Sequence, residues 1–355
     1  MPTRPSLSFP AGTELVFGPQ ASRRRYISDR LADVMRGWGF SEIILPAFDA
    51  AETFGDADET ELYHLTDREG HRLTLRADFT RIAAKALALE LRREPQQLRA
   101  SYEGRVYRFA PSGHGNRVEH TQRGLEWLNA HGVTYDAATL LMARECMQAV
   151  GIAGAVTVVG HAGFVNAALG TLGAGERRLH EALDHKNPTR IAELCSRIGI
   201  DGARTRLLAE LPLLTGGRDV FSRARALGLP AEAESALSEL EAIDHLMTQA
   251  GAGALLYDLG EVRRFDYYSG FMFKVYHPLV GQALGGGGRY DRLFDRFGMD
   301  VPAVGFGFNL ARLAEATDQN PYGGSGEHIA ASDAAALERA VAARAMGKQI
   351  RLGDA

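Results

Sequence analysis

The sequence predicts an α+β architecture: an antiparallel sheet flanked by helices and interrupted by a helical insertion. Three observations carry that reading. Alternating segments come as hairpins and meanders, the clearest being "LRASYEGRVYRF" and "VEHTQRGLEWLNA" joined by the turn-rich "APSGHGN". From about Phe164 to Gln249 the chain becomes Ala/Leu-rich, helix after helix, without strand alternation. Nowhere does the chain show the regular strand–helix alternation of a doubly wound fold.

The elements follow in order. In "SRRRYISDRLADVMRG", residues 22–37, Ile27, Leu31 and Val34, with Trp38 just beyond, recur at helical spacing, so one side faces a core and the arginines face away. "GFSEIILPAFD" reads as a short strand stopped by Pro46, which has no N–H to give a ladder. "HRLTLRADFT" sets Leu73 and Leu75 against polar neighbours at the period of a strand. "TRIAAKALALELRR" is helical by propensity and closed by Pro95. After the hairpin, a helix from about Asp136 to Val150 leads into the short buried strand "AVTVVGH". Beyond the insertion, strands resume at "ALLYDLGEVRRFDYYSGFMFKVYH", and "PAVGFGFNLARLAEA" reads as a strand running into a helix.

From Thr317 to Gly326 the chain is polar and Gly-rich, a linker by composition, followed by a helix and a final short strand "KQIRL". Residues 1–316 thus read as one domain, with the insertion at about 164–250, and 317–355 as linker and tail. The tail is too short for an independent core and is expected to dock on the main body.

Composition narrows the function. With 45% hydrophobic and 24% charged residues the chain can bury a sizeable core, and a net charge of -4 gives no general pull towards nucleic acid or anionic membrane. Cys146 and Cys195 are far apart and lack metal-ligand spacing, so both read as core thiols. The N-terminus "MPTRPSLSFPAG" has no apolar h-region and reads as mature and cytoplasmic. His114, His120 and His131 have no companion cysteine or helical i, i+4 pair, which argues against a metal site. "GGGGRYD" lacks both the Lys-Ser/Thr of a phosphate loop and the spacing of a dinucleotide turn; it marks instead a backbone crowded by a neighbour or ligand.

Two segments stand out. Gln122 and Glu126 have equal parity on a strand, so an amide and a carboxylate can enter one pocket; the alternative is the solvated face of a hairpin. In "GEVRRFDYYSGFMFKVY", Arg263 and Arg264 sit beside Asp266 and the pair Tyr267–Tyr268, too polar a centre for a plain half-buried strand.

Taken together, these segments resemble the catalytic domain of histidyl-tRNA synthetase, a class II synthetase fold. "GFSEIILPAFDAAETF" resembles its first motif and "LTLRADFT" its Leu-Arg-Pro-Glu-x-Thr segment. "YEGRVYRFAPSGHGNRVEHTQRGLE" resembles its second motif, with Arg108, Gln122, Gly124 and Glu126 in place. "VRRFDYY" is similar to the histidine-specific signature, and "GGGGRYDRLFDRFG" with "PAVGFGFNLARL" to the Gly-Gly-Arg-Tyr-Asp turn and third motif. The departures matter as much. Ala110 and Pro111 stand where the synthetase holds ATP with a glutamate and an arginine, and Asn116 stands where it has a loop arginine, although Arg117 is one step along. Asp78 and Phe79 replace a glutamate and a glycine, and Arg264 replaces the signature glycine. The short tail stands where the synthetase carries its anticodon-binding domain.

That pattern is similar to the synthetase-like family of regulatory subunits of ATP phosphoribosyltransferase. The resemblance implies a non-catalytic subunit of histidine biosynthesis, with no cofactor and no tRNA partner. It would form a homodimer within a hetero-oligomer containing the short catalytic subunit, with histidine as effector. It also implies a histidine pocket built from Asp78, Thr80, Arg108, Gln122, Glu126, Arg263, Tyr267 and Tyr268. An adenylating enzyme that keeps Arg108, Arg263 and Arg312, and a scaffold that has lost small-molecule binding, are the alternatives.

Overall fold

In the computed structural model, which describes residues 8–353 except 56, 58, 94–95, 110–116, 171–175, 201, 262–266, 323–325 and 332–333, the first element is helix α1 (Gly18–Gly37). It buries the face carrying Ile27, Leu31, Val34 and Met35. After it, Pro46 splits the expected strand in two. Strand β1 (Ser41–Glu42) joins the main sheet, whereas β2 (Phe48–Ala50) forms a separate small antiparallel sheet with β3 (His64–Thr66) and β4 (Arg72–Leu75). Helix α2 (Phe79–Arg93) and the hairpin of β5 (Leu98–Tyr107) and β6 (Glu119–Leu128) follow as the sequence predicts, then α3 (Val133–Ala149) and β7 (Val156–His161).

The insertion holds α4 (Ala162–Leu169), α5 (Glu176–Asp184), α6 (Pro188–Ile198), α7 (Gly202–Glu210), α8 (Asp219–Arg225) and α9 (Ala231–Gln249). It is not wholly helical. A two-residue strand β8 (Thr215–Gly216) pairs with β9 (Leu256–Asp258), too short to leave an alternation in the sequence. The remaining body strands are β10 (Phe271–His277), β11 (Val280–Arg289) and β12 (Ala303–Asn309), the last running directly into α10 (Leu310–Ala316).

The nine-stranded main sheet has the order β1-β5-β6-β12-β11-β10-β7-β9-β8. Its centre is antiparallel, and β1/β5 and β7/β9 are parallel pairs on the two flanks. One face is sealed by α1, α3, α4, α9 and α10. Phe271, Phe273, Phe306, Phe308 and Leu125 point into this side and share a single apolar core with insertion residues such as Leu208, Leu237 and Ile243. The insertion is therefore packed into the domain and is not a detached module. Cys146 and Cys195 both lie in this core as free thiols.

The tail forms β13 (Glu327–Ala330), α11 (Ala334–Ala345) and β14 (Ile350–Gly353). Its two strands pair in parallel, and Ile329, Ala336 and Ala340, with half-buried Ile350, make a small core of their own. The sequence reading missed β13, whose four residues follow a Gly-rich stretch and show no alternation.

A buried ion pair fixes the end of β11 against α3. Arg289 Nε donates to Asp136 Oδ1 at 2.9 Å, and its Nη1 donates to the Ala130 carbonyl at 2.8 Å and to Asp291 Oδ1 at 3.0 Å. Arg289 and Asp136 are 7% and 2% exposed, so removing one partner strands a charge out of water. Asp136→Ala is expected to destabilise the fold by about 3–5 kcal/mol, read from urea unfolding. A loss under 1 kcal/mol would show that the pair does not hold β11 to α3.

Candidate functional site

The other face of the sheet carries the site. In antiparallel strands, residues directly opposite share a face. The register therefore aligns Tyr102, Gly124, Gly307, Gly286 and Lys274 in one row across β5, β6, β12, β11 and β10. The next row runs Ala100, Glu126, Gly305, Gly288 and Met272. Five positions in the middle of this face have no side chain. Three of them, Gly286, Gly305 and Gly307, form the floor of a cavity of about 360 Å³ walled by Asp78, Thr80, Tyr102, Gln122, Tyr268 and Lys274 among others.

Strand β6 supplies both predicted polar residues. The Gln122 amide lies so close over Gly307 that a Cβ there would fall 1.9 Å from its Nε2; Glu126 Oε2 covers Gly305 in the same way, at 2.2 Å. Glu126 is only 2% exposed and sits beneath the cavity wall. Three hydroxyls reach it. Thr80 donates to Oε1 at 2.9 Å and Tyr102 at 3.3 Å, while the Tyr290 hydroxyl meets Oε2. Burial drives the Glu126 carboxyl up to about 8, opposed by the Thr80 and Tyr102 bonds and reinforced by nearby Asp78.

Asp78 and Thr80 come from the start of α2. Asp78 Oδ1 accepts the Arg81 backbone N–H at 2.9 Å, and Oδ2 accepts from the Arg81 guanidinium at 2.6 Å. It caps the helix and holds a buried cation together. That cation lies 5.1 Å from the centre of the Tyr267 ring, which also packs on Tyr290 and Tyr268. Burial first, then the neighbouring Tyr268 and Asp78, push the Tyr267 phenol well above its ordinary range.

The far end of the cavity is cationic. Arg108 donates from Nε to the Ala77 carbonyl at 2.8 Å, and Arg312 from Nη1 to the Ala283 carbonyl at 2.7 Å. His120 lies between them, lowered to about 4 by burial and by Arg108, Arg312 and Arg117, so it is neutral at pH 7. Lys274 on β10 pairs with Glu261. A protonated carboxyl and hydroxyls at one end, and guanidinium groups at the other, suit a ligand with donor groups and a carboxylate.

Of the predicted residues, Asp78, Thr80, Arg108, Gln122, Tyr267 and Tyr268 line this one cavity. Glu126 lies behind it, its oxygens already met by hydroxyls. Arg263 lies in 262–266, outside the described residues, as do Arg264, Asp266 and the departures at Ala110, Pro111 and Asn116. The sequence reading missed Tyr102, His120, Tyr290, Asn309 and Lys274 as lining residues. Lys274 had a signal: it is the only charge in the otherwise apolar "FMFKVY". Among the described residues, the one trio placed to hold a metal is Asp67, Glu69 and His71, in the turn between β3 and β4, where Asp67 already accepts from His71 and two backbone amides. No helix among them is long and apolar enough to cross a membrane.

Comparisons with known proteins give the family and the fold. The family model described as histidyl-tRNA synthetase matches residues 12–313. A Moorella thermoacetica chain named ATP phosphoribosyltransferase regulatory subunit is 33% identical over 98% of this chain and 92% of its own length. A chain of the same name from Shouchella clausii is 32% identical, over 86% and 80%. A solved structure from Bacillus halodurans, described as an ATP phosphoribosyltransferase regulatory subunit/histidyl-tRNA synthetase, is similar with a TM-score of 0.86 at 27% identity, covering 99% of this chain and 94% of that one.

The raised Glu126 carboxyl makes stability fall with pH. Between the ordinary 4.5 and about 8 the folded chain holds a proton that the unfolded chain has lost. The associated stabilisation is full below pH 4.5 and is lost as pH rises through 8. For one carboxyl this is at most on the order of 5 kcal/mol. Glu126→Gln should flatten that part of the stability profile, measured by urea titration from pH 5 to pH 8.5; an unchanged slope would place the Glu126 carboxyl near its ordinary value.

Proposed function

We propose that this chain, which belongs to the histidyl-tRNA synthetase family and within it to the ATP phosphoribosyltransferase regulatory subunits, activates a short catalytic subunit in the first step of histidine biosynthesis and makes it sensitive to histidine. The observation that carries the reading is the coincidence of that membership with a cavity still lined by Asp78, Thr80, Gln122, Tyr267 and Tyr268. The chain itself performs no chemistry in this reading. It holds histidine and biases the assembly.

The cavity chemistry suits the free amino acid. The α-ammonium would approach the end where Asp78 and the hydroxyl oxygens of Thr80 and Tyr102, which stand in front of Glu126, offer acceptors, and the α-carboxylate an arginine, Arg263 by resemblance. Tyr268 can exchange a hydrogen bond with an imidazole nitrogen. A site that pairs both charged ends rejects analogues lacking either, because buried groups would be left unpaired. Inhibition then requires histidine to prefer one arrangement of the complex by roughly 1–3 kcal/mol. The catalytic subunit and a second copy of this chain are the partners. Ile44, 97% exposed, and Phe48, 50% exposed, place apolar surface on the first-motif segment, where class II domains pair.

A second reading has its own observation: Arg108 and Arg312 both line the cavity, so its anion-binding end persists. In that reading the chain adenylates histidine with ATP. Histidine-dependent ATP–pyrophosphate exchange by the purified chain separates the two, and clear exchange would replace the regulatory reading.

Co-expression with a short-form catalytic subunit is the direct test. ATP phosphoribosyltransferase activity should rise at least tenfold with this chain present and fall on adding histidine. Tyr268→Ala should weaken the histidine response tenfold or more while leaving activation intact. Histidine binding at pH 7 should also release up to one proton as Glu126 ionises beside the ammonium, seen by calorimetry in buffers of different ionisation enthalpy and absent in Glu126→Gln. If histidine does not bind the complex at millimolar concentration, the sensor role fails.

A further inference from the structure

On the helix-covered face of the sheet lies a second cavity, of about 480 Å³, between the C-terminal turns of α3 and α9 and the outer strands β7 and β9. Its walls are mainly apolar, with Met147, Ile152, Met247 and Leu255 among them. Two equivalent turns build it. Ile152 N–H donates to the Met147 carbonyl and Ala252 N–H to the Met247 carbonyl, each at 2.9 Å, and each turn passes through a glycine, Gly151 or Gly251, in the left-handed region. These bonds engage carbonyls in the last turns of both helices.

One cation enters this apolar space. Arg144, on α3, is half-buried and lines the cavity. Among the described residues its guanidinium has no hydrogen-bond or ion-pair partner. Its neighbour Glu145 is turned away, accepting from Trp38 Nε1 at 2.7 Å. Gly253 keeps the space beside the guanidinium open, since a Cβ there would lie 3.1 Å from Arg144 Nη1. The guanidinium is half-buried and its nitrogens still reach water, so a ligand carboxylate here would take the place of solvent at an unpaired cation. A guanidinium fork matches a carboxylate through two parallel hydrogen bonds, and the volume lies in the ordinary range for small-molecule sites.

We propose that this cavity is a second ligand site, for a small organic carboxylate with an apolar body that fills the space between α3 and α9 while its head pairs with Arg144. It is separate from the histidine cavity. Thr157 lines it from the core side of β7, opposite Val275, whereas Lys274 lines the other cavity from the far face of the neighbouring strand.

The test uses the full chain and a pair of probes, 4-phenylbutyrate and the uncharged 4-phenylbutan-1-ol, followed by titration calorimetry. The carboxylate should bind once per chain and at least tenfold more tightly than the alcohol, unaffected by saturating histidine. Arg144→Met should erase the preference while leaving the alcohol's affinity in place. Ala254→Trp, at an exposed lining position, should block both probes. No binding of 4-phenylbutyrate at millimolar concentration, equal affinity for the two probes, a preference that survives Arg144→Met, or displacement by histidine would each overturn the site.

Discussion

The cavity exists because the middle of the sheet has no side chains on one face. Gly124, Gly286, Gly288, Gly305 and Gly307 occupy neighbouring register positions on three adjacent strands, and the backbone itself is the floor. Contact on this floor leaves nothing to spare. A Cβ on Gly124 would meet the Phe306 carbonyl at 2.4 Å, and one on Gly305 would collide with both Glu126 and the Tyr290 hydroxyl. The alternate glycines of the "GGGG" run serve the opposite face. Gly285 and Gly287 leave room for Phe308 and Phe306, whose rings join the helix-side core. One short run of glycine thus serves a cavity on one side and close packing on the other.

Electrostatics in that cavity are set by each group's partners, because Glu126 and Asp78 are buried alike. Glu126 and Asp78 are both carboxylates near one ligand space, yet they meet different fates. Asp78 lies against Arg81 at a helix start, accepting from its backbone N–H and its guanidinium. Glu126 faces hydroxyls only, and burial dominates. A ligand ammonium would supply a positive charge near Glu126 and favour loss of the carboxyl proton. The cationic end follows the same logic in reverse: His120, crowded by arginines, stays neutral and adds a hydrogen-bonding ring without further charge.

Strand parity and glycine content made much of this legible from sequence. The even spacing of Gln122, Gly124 and Glu126 placed all three on one face, and the structure has them there. The α+β class, the hairpin of β5 and β6, and the strand-to-helix run of β12 into α10 were equally plain, because each spans several periods of its pattern. What parity does not carry is depth. It could not show that Glu126 lies behind Tyr102, Thr80 and Tyr290, since those come from three other elements and meet only in the fold. Lys274 enters the cavity through strand order, β10 lying two strands from β12, whereas His120 on β6 shares the parity of Gln122 and was open to the same reasoning. The two-residue β8 was illegible for a simpler reason: its pairing is supplied entirely by the neighbouring β9.

Phe79 shows how a departure from the synthetase pattern is built into the site. By resemblance its position belongs to glycine, and a phenyl ring beside a ligand pocket would ordinarily need space cleared for it. Here the ring stacks on Tyr102 at 4.1 Å with planes 9° apart, and the Arg76 guanidinium covers it at 3.9 Å. Gly104 provides the clearance, since a Cβ there would lie 2.8 Å from the Phe79 ring. Tyr102 is one of the hydroxyls that hold Glu126, so the added ring fixes the orientation of a donor to the buried carboxyl. The added ring therefore packs the Tyr102 side of the cavity while taking nothing from the glycine floor. A small ligand held here, as proposed, would gain from that rigidity, because ordering lost before binding is not lost again on binding.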